Sequence, residues 1–373
     1  MTKNLGMTDR HSARGSTVRL IGHRRPRRHL GIAVALIVVS LTAAAVAASA
    51  RSARTVSARP SLSLALLRPR RTVGRVDYAP TRSQVAAERE GKRPLRGSAL
   101  KATEDNANKL QYGGGHVQSN VQVYLVFYGN QWQSDPSHLE SLVPNFYNGL
   151  YGASDTWSNS ATQYCQGAAR GATACGYAGR IQHPSASPLA GVWNDDEKAP
   201  THPTQAQLEA EAVRAAAHFG NKTRAMNRNA QYVIATAHNN NPTGFGSLWC
   251  AWHTDTPSPY GIIAYTNLPY VPDGGWNCGA GYVNTPGEAD GVTVLAGHEY
   301  VESLTDPYPD SGWVDSGTSE VADKCVWIIP GQQGGGTNIN LPTGTFPVQG
   351  LWSNNFGTEG GCVTTYVSYA NQR

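Results

Sequence analysis

The 373-residue sequence predicts an α+β domain with a mixed sheet, a buried central helix and loop-rich margins held by disulfides. Near-continuous runs of apolar, β-branched and aromatic residues predict buried strands, and residues 121–128 are the clearest example. A strongly apolar stretch with helical spacing, residues 285–305, predicts a buried helix. Six cysteines, all beyond residue 160, predict disulfides. Together these observations favour one folded domain over residues 117–373.

Three helices are predicted from local patterns. Residues 136–152 and 204–220 have helical spacing of apolar side chains. The central helix is expected to begin at a capping box formed by Thr285 and Glu288 and to end before Pro307. Loops and short strands are expected between the first two helices. Further strands are predicted at residues 232–238, 262–265, 326–329, 345–351 and 363–369.

Residues 1–50 have the composition of an export signal. Four arginines between positions 24 and 28 precede an uncharged apolar run from Leu30 to Ala50. The run ends in small residues, which predicts signal peptidase cleavage after Ala50 and a secreted protein. An uncleaved membrane anchor is the alternative, since about 20 apolar residues can span a bilayer. No membrane contact is predicted beyond this segment.

Charge divides the sequence into two unlike parts. Residues 1–100 contain 20 Lys and Arg against 4 Asp and Glu, whereas residues 101–373 contain 11 against 22. The folded part is therefore acidic despite the overall net charge of +5, which argues against a nucleic-acid partner. Residues 51–116 are rich in Arg, Ser, Ala and Pro without a sustained apolar period. We expect a disordered basic linker or a removable pro-segment there.

The six cysteines are Cys165, Cys175, Cys250, Cys278, Cys325 and Cys362. An even number in an exported chain predicts three disulfides, for which fifteen connectivities are possible. We favour pairing of neighbours (165 with 175, 250 with 278, 325 with 362) because each pair closes a local loop. A zinc–cysteine cluster is disfavoured, since no two cysteines have C-x-x-C spacing.

The central helix carries the sequence His298-Glu299-Tyr300-Val301-Glu302. His298 and Glu302 are four residues apart and share one helix face, with Glu299 beside them. This is the geometry of the H-E-x-x-H metallopeptidase helix, with Glu in place of the second His. Ionisable groups on a buried helix are costly unless they serve a site. A hydrogen-bonded His–Glu pair on a structural helix is the alternative.

Residues beyond the helix extend this motif. Glu320 and Asp323 form an E-x-x-D pair, and Glu320 lies 18 residues after Glu302. The order H-E-x-x-E…E-x-x-D resembles the gluzincin metallopeptidases, which implies a zincin-like fold. By this resemblance His298, Glu302 and Glu320 bind the metal, and Asp323 hydrogen-bonds the free nitrogen of His298. Glu299 then accepts a proton from the attacking water while the metal polarises a carbonyl.

The Glu at position 302 affects which metal is expected. Two carboxylates and one imidazole neutralise a divalent ion and make a harder site than two imidazoles would. Zinc is favoured, and Mn, Ca or a purely structural metal are alternatives. His253 is an alternative ligand; otherwise it is a loop histidine tied to the Cys250 disulfide.

A wider resemblance extends over residues 117–373. The matching blocks are residues 121–129, 244–253, 297–307 and 320–325, ending at Cys362. They resemble the phosphate-induced, Exordium-like family of secreted proteins, whose plant members carry H-E-L-A-E, T-N-P and E-I-A-D-x-C. This chain has H-E-Y-V-E, T-D-P and E-V-A-D-K-C, and departs at Asp306, where the plant pattern has Asn. The resemblance implies secretion and cell-wall or extracellular association, without a settled catalytic activity.

The sequence therefore predicts a secreted, metal-dependent hydrolase resembling zinc metallopeptidases, with a peptide or cell-wall substrate. The alternative is a non-catalytic extracellular or cell-wall-associated binding protein on the same scaffold. Glu299 favours the enzyme, because a binding protein has no need of a second carboxylate at the position of the attacking water.

Overall fold

A computed structural model describes residues 75–91 and 108–366 of the chain. The predicted signal peptide, residues 1–50, lies outside the described residues. Within them the chain has the predicted α+β character, with a mixed sheet and three disulfides. None of the helices in the described ranges is long and apolar enough to cross a membrane.

The strands, in chain order, are β1 (Asp77–Ala79), β2 (Gln111–Tyr112), β3 (Gln122–Tyr128), β4 (Leu189–Asp195), β5 (Ala230–Thr236), β6 (Ala251–Ser258), β7 (Gly261–Leu268), β8 (Trp313–Val314), β9 (Thr337–Leu341), β10 (Gly344–Val348), β11 (Leu351–Ser353) and β12 (Gly361–Val363). Six of them form the main sheet in the order β1-β6-β7-β5-β3-β4. Strands β4, β3, β5 and β7 are parallel, β6 is antiparallel to β7, and β1 is antiparallel to β6. The other strands pair in twos, β2 with β8, β9 with β10 and β11 with β12.

The helices are α1 (Arg82–Arg89), α2 (Leu139–Gly149), α3 (Gln205–His218), α4 (Arg224–Asn227) and α5 (Asp290–Thr305). Alternate residues of a strand point to opposite faces of the sheet, and β3 therefore contributes to two cores. Val123, Leu125 and Phe127 belong to the core that contains α2 and α5, and Tyr124, Val126 and Tyr128 belong to the core that contains α3. The site described below lies on the α5 face.

Helix α5 is buried at all of its 16 residues. The absence of a side chain at Gly297 is required here, because a Cβ would lie 2.6 Å from the Trp157 ring. The helix begins at Asp290 rather than at the predicted capping box of Thr285 and Glu288, and no side chain caps it. Asp290 instead accepts hydrogen bonds from the amides of the preceding loop at residues 283 and 284, both at 2.7 Å.

The prediction of a strand at residues 326–329 is wrong, because these residues form turns and irregular structure. A short 3₁₀ turn (Asp323–Cys325) precedes it, and Trp327 has a φ of 52°, which a strand does not allow. Val326 and Trp327 are buried by side-chain packing, in which the Trp327 ring meets Tyr282 edge-on, whereas Ile329 is 60% exposed. The strand predicted at 345–351 is divided between β10 and β11.

Residues 75–91 are ordered, although a disordered segment was expected there. Strand β1 pairs with β6, and α1 begins with a capping box formed by Thr81 and Gln84. Arg89 donates hydrogen bonds to the carbonyls of Val326 and Trp327. The expectation of disorder is therefore wrong for this stretch. The expectation is also wrong for residues 108–116, where β2 pairs with β8. Residues 51–74 and 92–107 of the predicted linker lie outside the described residues.

The three disulfides join the predicted partners. Cys165 pairs with Cys175, Cys250 with Cys278, and Cys325 with Cys362. The second disulfide holds the residue just before β6, and the third holds the turn that follows Asp323. Two of the three disulfides thus fix segments that contribute side chains to the site.

Candidate metal centre

Three separated segments bring ionisable side chains to one buried place on the α5 face. Helix α5 contributes His298, Glu299 and Glu302, which are at most 1% exposed. Strand β6 contributes His253, and the segment after β8 contributes Glu320 and Asp323, all nearly as buried. His253 thus lies in a strand and not in the loop that the sequence predicted.

One half of the centre surrounds His298. Its Nε2 atom lies 3.1 Å from Glu302 Oε2 and 3.6 Å from Asp323 Oδ1. One ligand atom from each of these three residues lies within 4.8 Å of the others, which is close enough to hold a metal ion. Neither His298 Nε2 nor Asp323 Oδ1 has a hydrogen-bond partner within the described part of the chain. Buried polar atoms rarely go unpaired, so these two atoms indicate a ligand site.

Gln349 holds the His298 ring in place. The Gln349 side chain donates from Nε2 to the Ala322 carbonyl at 2.7 Å, which fixes its Oε1 as an acceptor. His298 Nδ1 lies 3.1 Å from that oxygen and therefore carries the proton. The lone pair of Nε2 is then directed at Glu302 and Asp323. A histidine whose second nitrogen is fixed by an acceptor is typical of metal ligands.

The other half of the centre surrounds His253. Its Nδ1 atom lies 3.0 Å from Glu299 Oε2 and 3.7 Å from Glu302 Oε2. Its Nε2 atom lies 3.2 Å from the backbone carbonyl of Asp306 and 3.6 Å from Glu320 Oε1. His253, Glu299 and Glu302 form a second group of three potential ligands, which shares Glu302 with the first group.

The structure places Asp323, and not Glu320, beside His298 and Glu302. Glu320 faces His253 instead. This placement follows from Glu302 Oε1, which accepts hydrogen bonds from the amides of Ala322 and Asp323 at 3.3 and 3.0 Å. These bonds bring residue 323 close to the helix. Gln349, and not Asp323, fixes the second nitrogen of His298.

Burial dominates the electrostatics of these groups. Desolvation, and then the negative charges nearby, raise the pKa values of Glu302, Glu320 and Asp323 well above their usual range. Burial alone would lower the pKa of His253, but its hydrogen bond to Glu299 and the surrounding carboxylates raise it to about 9. Without a bound cation, burial therefore favours the protonated forms of Glu302, Glu320 and Asp323.

Asp77 and Asp306 also belong to this centre, and sequence reasoning missed both. Asp77 of β1 is the register partner of His253, and its carboxylate contributes to the raised pKa of Glu320. Asp306 accepts hydrogen bonds from the amide and hydroxyl of Ser311 at 3.0 and 3.1 Å. Burial raises the pKa of Asp306 to about 7. Asp306 was singled out only as a departure from the plant pattern, and nothing local marks Asp77.

The residues present fit a divalent cation. Five carboxylates are at most 2% exposed: Glu299, Glu302, Asp306, Glu320 and Asp323. Among the described residues, the ion pairs of these carboxylates involve histidine and never Lys or Arg. Unpaired buried carboxylates are very costly, and a cation removes that cost. Nitrogen and carboxylate donors suit Zn²⁺ or Mn²⁺.

The fold and the centre together define an α+β protein with a buried histidine–carboxylate cluster behind the central helix. Comparison with protein-family models, curated proteins and solved structures found no match to this chain. The Exordium-like and gluzincin resemblances remain predictions.

Proposed function

We propose that this protein is a metal-dependent hydrolase whose cation is held by His298, Glu302 and Asp323. The observation that supports this most is the meeting of His298 Nε2, Glu302 Oε2 and Asp323 Oδ1 in a closed, polar place without Lys or Arg partners among the described residues. Zinc is the favoured ion, because one imidazole with carboxylates is within its usual ligand range.

Each neighbouring residue has a role in this proposal. A bound divalent cation would polarise the substrate carbonyl and lower the pKa of water. Glu299 Oε2 is fixed by His253, while its Oε1 has no hydrogen-bond partner among the described residues and is available to accept a proton. Gln349 keeps the His298 lone pair directed at the cation.

A peptide bond is the proposed target, in line with the gluzincin resemblance, and a cell-wall substrate is the other option. The three disulfides support an extracellular location, because such bonds persist mainly in oxidising compartments. The Exordium-like resemblance supports secretion in the same way.

The burial of the centre favours a second candidate. This is a non-catalytic extracellular or cell-wall-associated protein in which the metal is structural. His298, Glu299 and Glu302 are at most 1% exposed. A substrate could therefore reach them only if a covering element moved. Strand β1 is such an element, because it pairs with β6 and its Asp77 is the register partner of His253.

Metal analysis with thermal unfolding tests the proposal. We expect the purified chain to contain zinc, and a chelator to lower its stability by about 4 kcal/mol when the metal had exceeded its Kd a thousandfold. His298→Ala should abolish this response. His238→Ala is the matched control, since His238 pairs with Asp273 away from the centre. A metal-free protein with an unchanged unfolding curve would contradict both candidates.

Turnover separates the two candidates. Glu299→Gln should keep the cation at His298 and lower hydrolysis of an unstructured peptide roughly 10²–10⁴-fold, the usual contribution of a general base. Metal binding without turnover in the parent chain would leave the structural role and exclude the hydrolase.

A further inference from the structure

The two histidines of the centre are held in the same way. His298 has Nδ1 at 3.1 Å from the oxygen of Gln349 and directs Nε2 at carboxylates. His253 has Nε2 at 3.2 Å from the carbonyl of Asp306 and directs Nδ1 at carboxylates. Fixing one ring nitrogen with an acceptor is how proteins present the other nitrogen to a metal. Both histidines therefore have the arrangement of a ligand.

Glu302 lies between the two histidines. Its Oε1 atom is occupied by two backbone amides, as described above. Its Oε2 atom lies 3.1 Å from His298 Nε2 and 3.7 Å from His253 Nδ1. A single carboxylate oxygen thus faces both histidines. In two-metal hydrolytic sites the ions lie close together and share ligands in this manner.

The charge of the buried carboxylates also favours a second cation. If the five buried carboxylates are all ionised, one divalent cation neutralises two of their charges and leaves three. A second divalent cation would leave one. The described residues supply no Lys or Arg to these carboxylates, so the remaining charge has no other fixed partner.

We propose that His253, Glu299 and Glu302 hold a second divalent cation, and that Glu302 bridges it to the first. The inference rests on the proposed function only for the cation at His298. Glu299 binds through Oε2, which leaves Oε1 as the proton acceptor. One imidazole with carboxylates makes this site suited to Zn²⁺ or Mn²⁺. Glu320, at 3.6 Å from His253, lies at its margin.

A buried ion pair between protonated His253 and Glu299 is the competing explanation of the same contacts. An ion pair needs no metal and keeps a proton on Nδ1. The two explanations therefore differ in the number of metal ions bound per chain, which can be measured without any activity.

The test is metal stoichiometry of the full chain after reloading with Zn²⁺ and, separately, with Mn²⁺, by mass spectrometry of bound metal. We expect two ions per chain. His253→Gln and Glu299→Gln should each reduce this to one ion, and His238→Gln should leave two. Circular dichroism of each variant checks that it is folded. In the Mn²⁺ form, electron paramagnetic resonance should show coupled ions, which needs no variant.

The outcomes separate this inference from the proposed function. One ion per chain, unchanged in His253→Gln, would overturn the second site and leave the first standing. Two ions that persist in both variants, or two uncoupled Mn²⁺ ions, would also overturn it. An absence of bound metal in the parent chain would overturn both. If His253→Gln fails to fold, the resonance spectrum and Glu299→Gln still decide.

Discussion

Two groups of buried carboxylates lie on opposite faces of the main sheet, and they differ in their cation. On the α3 face, Glu211 and Asp195 are 1% and 4% exposed. Arg214 lies 3.3 Å from Glu211 and donates to Asp195 at 2.8 Å and to Glu197 at 2.9 Å. On the α5 face the ion pairs of the carboxylates involve histidine and no Lys or Arg among the described residues.

The difference shows how a structural network can be told from a ligand site. An Arg guanidinium is always charged and offers five donors in a fixed fork, so it can satisfy several carboxylates at once. The α3 group therefore has a permanent cation, although both carboxylate oxygens of Glu211 also lack a hydrogen-bond partner within the described ranges. The α5 group combines such unpaired atoms (Glu299 Oε1, Asp323 Oδ1 and His298 Nε2) with ion pairs that involve histidine and no Lys or Arg among the described residues. We attribute its deficit to a cation taken from solution.

The largest effect is expected on metal affinity, when the residue that orients His298 is changed. Gln349→Ala removes the acceptor from His298 Nδ1 and frees the ring to turn. We expect metal affinity at His298 to fall roughly 10–100-fold, the usual cost of losing such a partner. Metal titration by calorimetry measures it. Gln349→Glu, which keeps an acceptor, should lose less.

Gln231→Ala is the matched control for this prediction. Gln231 is equally buried and donates to the Tyr300 carbonyl on α5, but it does not contact either histidine. It should lower stability without changing metal affinity. An equal loss of affinity in both variants would show that general loosening of α5, and not orientation of His298, is responsible.

The elements that the sequence predicted well are those with local causes. Within the run at residues 121–128, β3 is buried on both faces from Val123 to Tyr128, and the spacing of His298 and Glu302 on α5 places both at one point. Strand β1 is different, because its three residues are ordered by pairing with β6 far along the chain. Local composition indicated only the basic linker around it.

The same division holds for the candidate site, where local features were predictable and long-range contacts were not. The helix motif could be read locally, but the choice between Glu320 and Asp323 depends on the amides of residues 322 and 323 bonding to Glu302. Gln349 reaches His298 from 51 residues further on. Its only local signal is a polar residue inside an apolar run. Long-range placements of this kind have no periodicity in the sequence.

A smaller effect is expected when the cation of the α3 group is removed. Arg214→Met leaves Glu211 and Asp195 without their guanidinium. Removing one partner of a buried pair is strongly destabilising, but Arg214 is 38% exposed, and solvent screening reduces the cost. We expect a loss of about 1–2 kcal/mol in urea unfolding, with metal content unchanged. Lys198→Met, an exposed lysine of the same region, should change stability by about 0.5 kcal/mol or less.

The smallest effect is a pH dependence in the α3 group. Burial raises the pKa of Glu211 from 4.5 to about 8, although Arg214 opposes the rise. Between these values the unfolded chain loses the Glu211 proton while the folded chain keeps it. The unfolded state then binds fewer protons, so this residue's contribution makes stability fall as pH rises through that window.

Glu211→Gln should remove this slope, which we expect to total about 1 kcal/mol between pH 5 and pH 8 because the partly exposed Arg214 limits the shift. Urea unfolding at several pH values measures it. Glu197→Gln is the control, because Glu197 pairs with the same arginine but is 71% exposed, and its variant should keep the slope. A slope that survives in Glu211→Gln would mean that the folded protein keeps Glu211 ionised beside Arg214. A buried position would then not be enough to identify a carboxylate without a cation. The contrast between the two groups would depend only on their ion-pair partners, Arg214 on the α3 face and histidine on the α5 face.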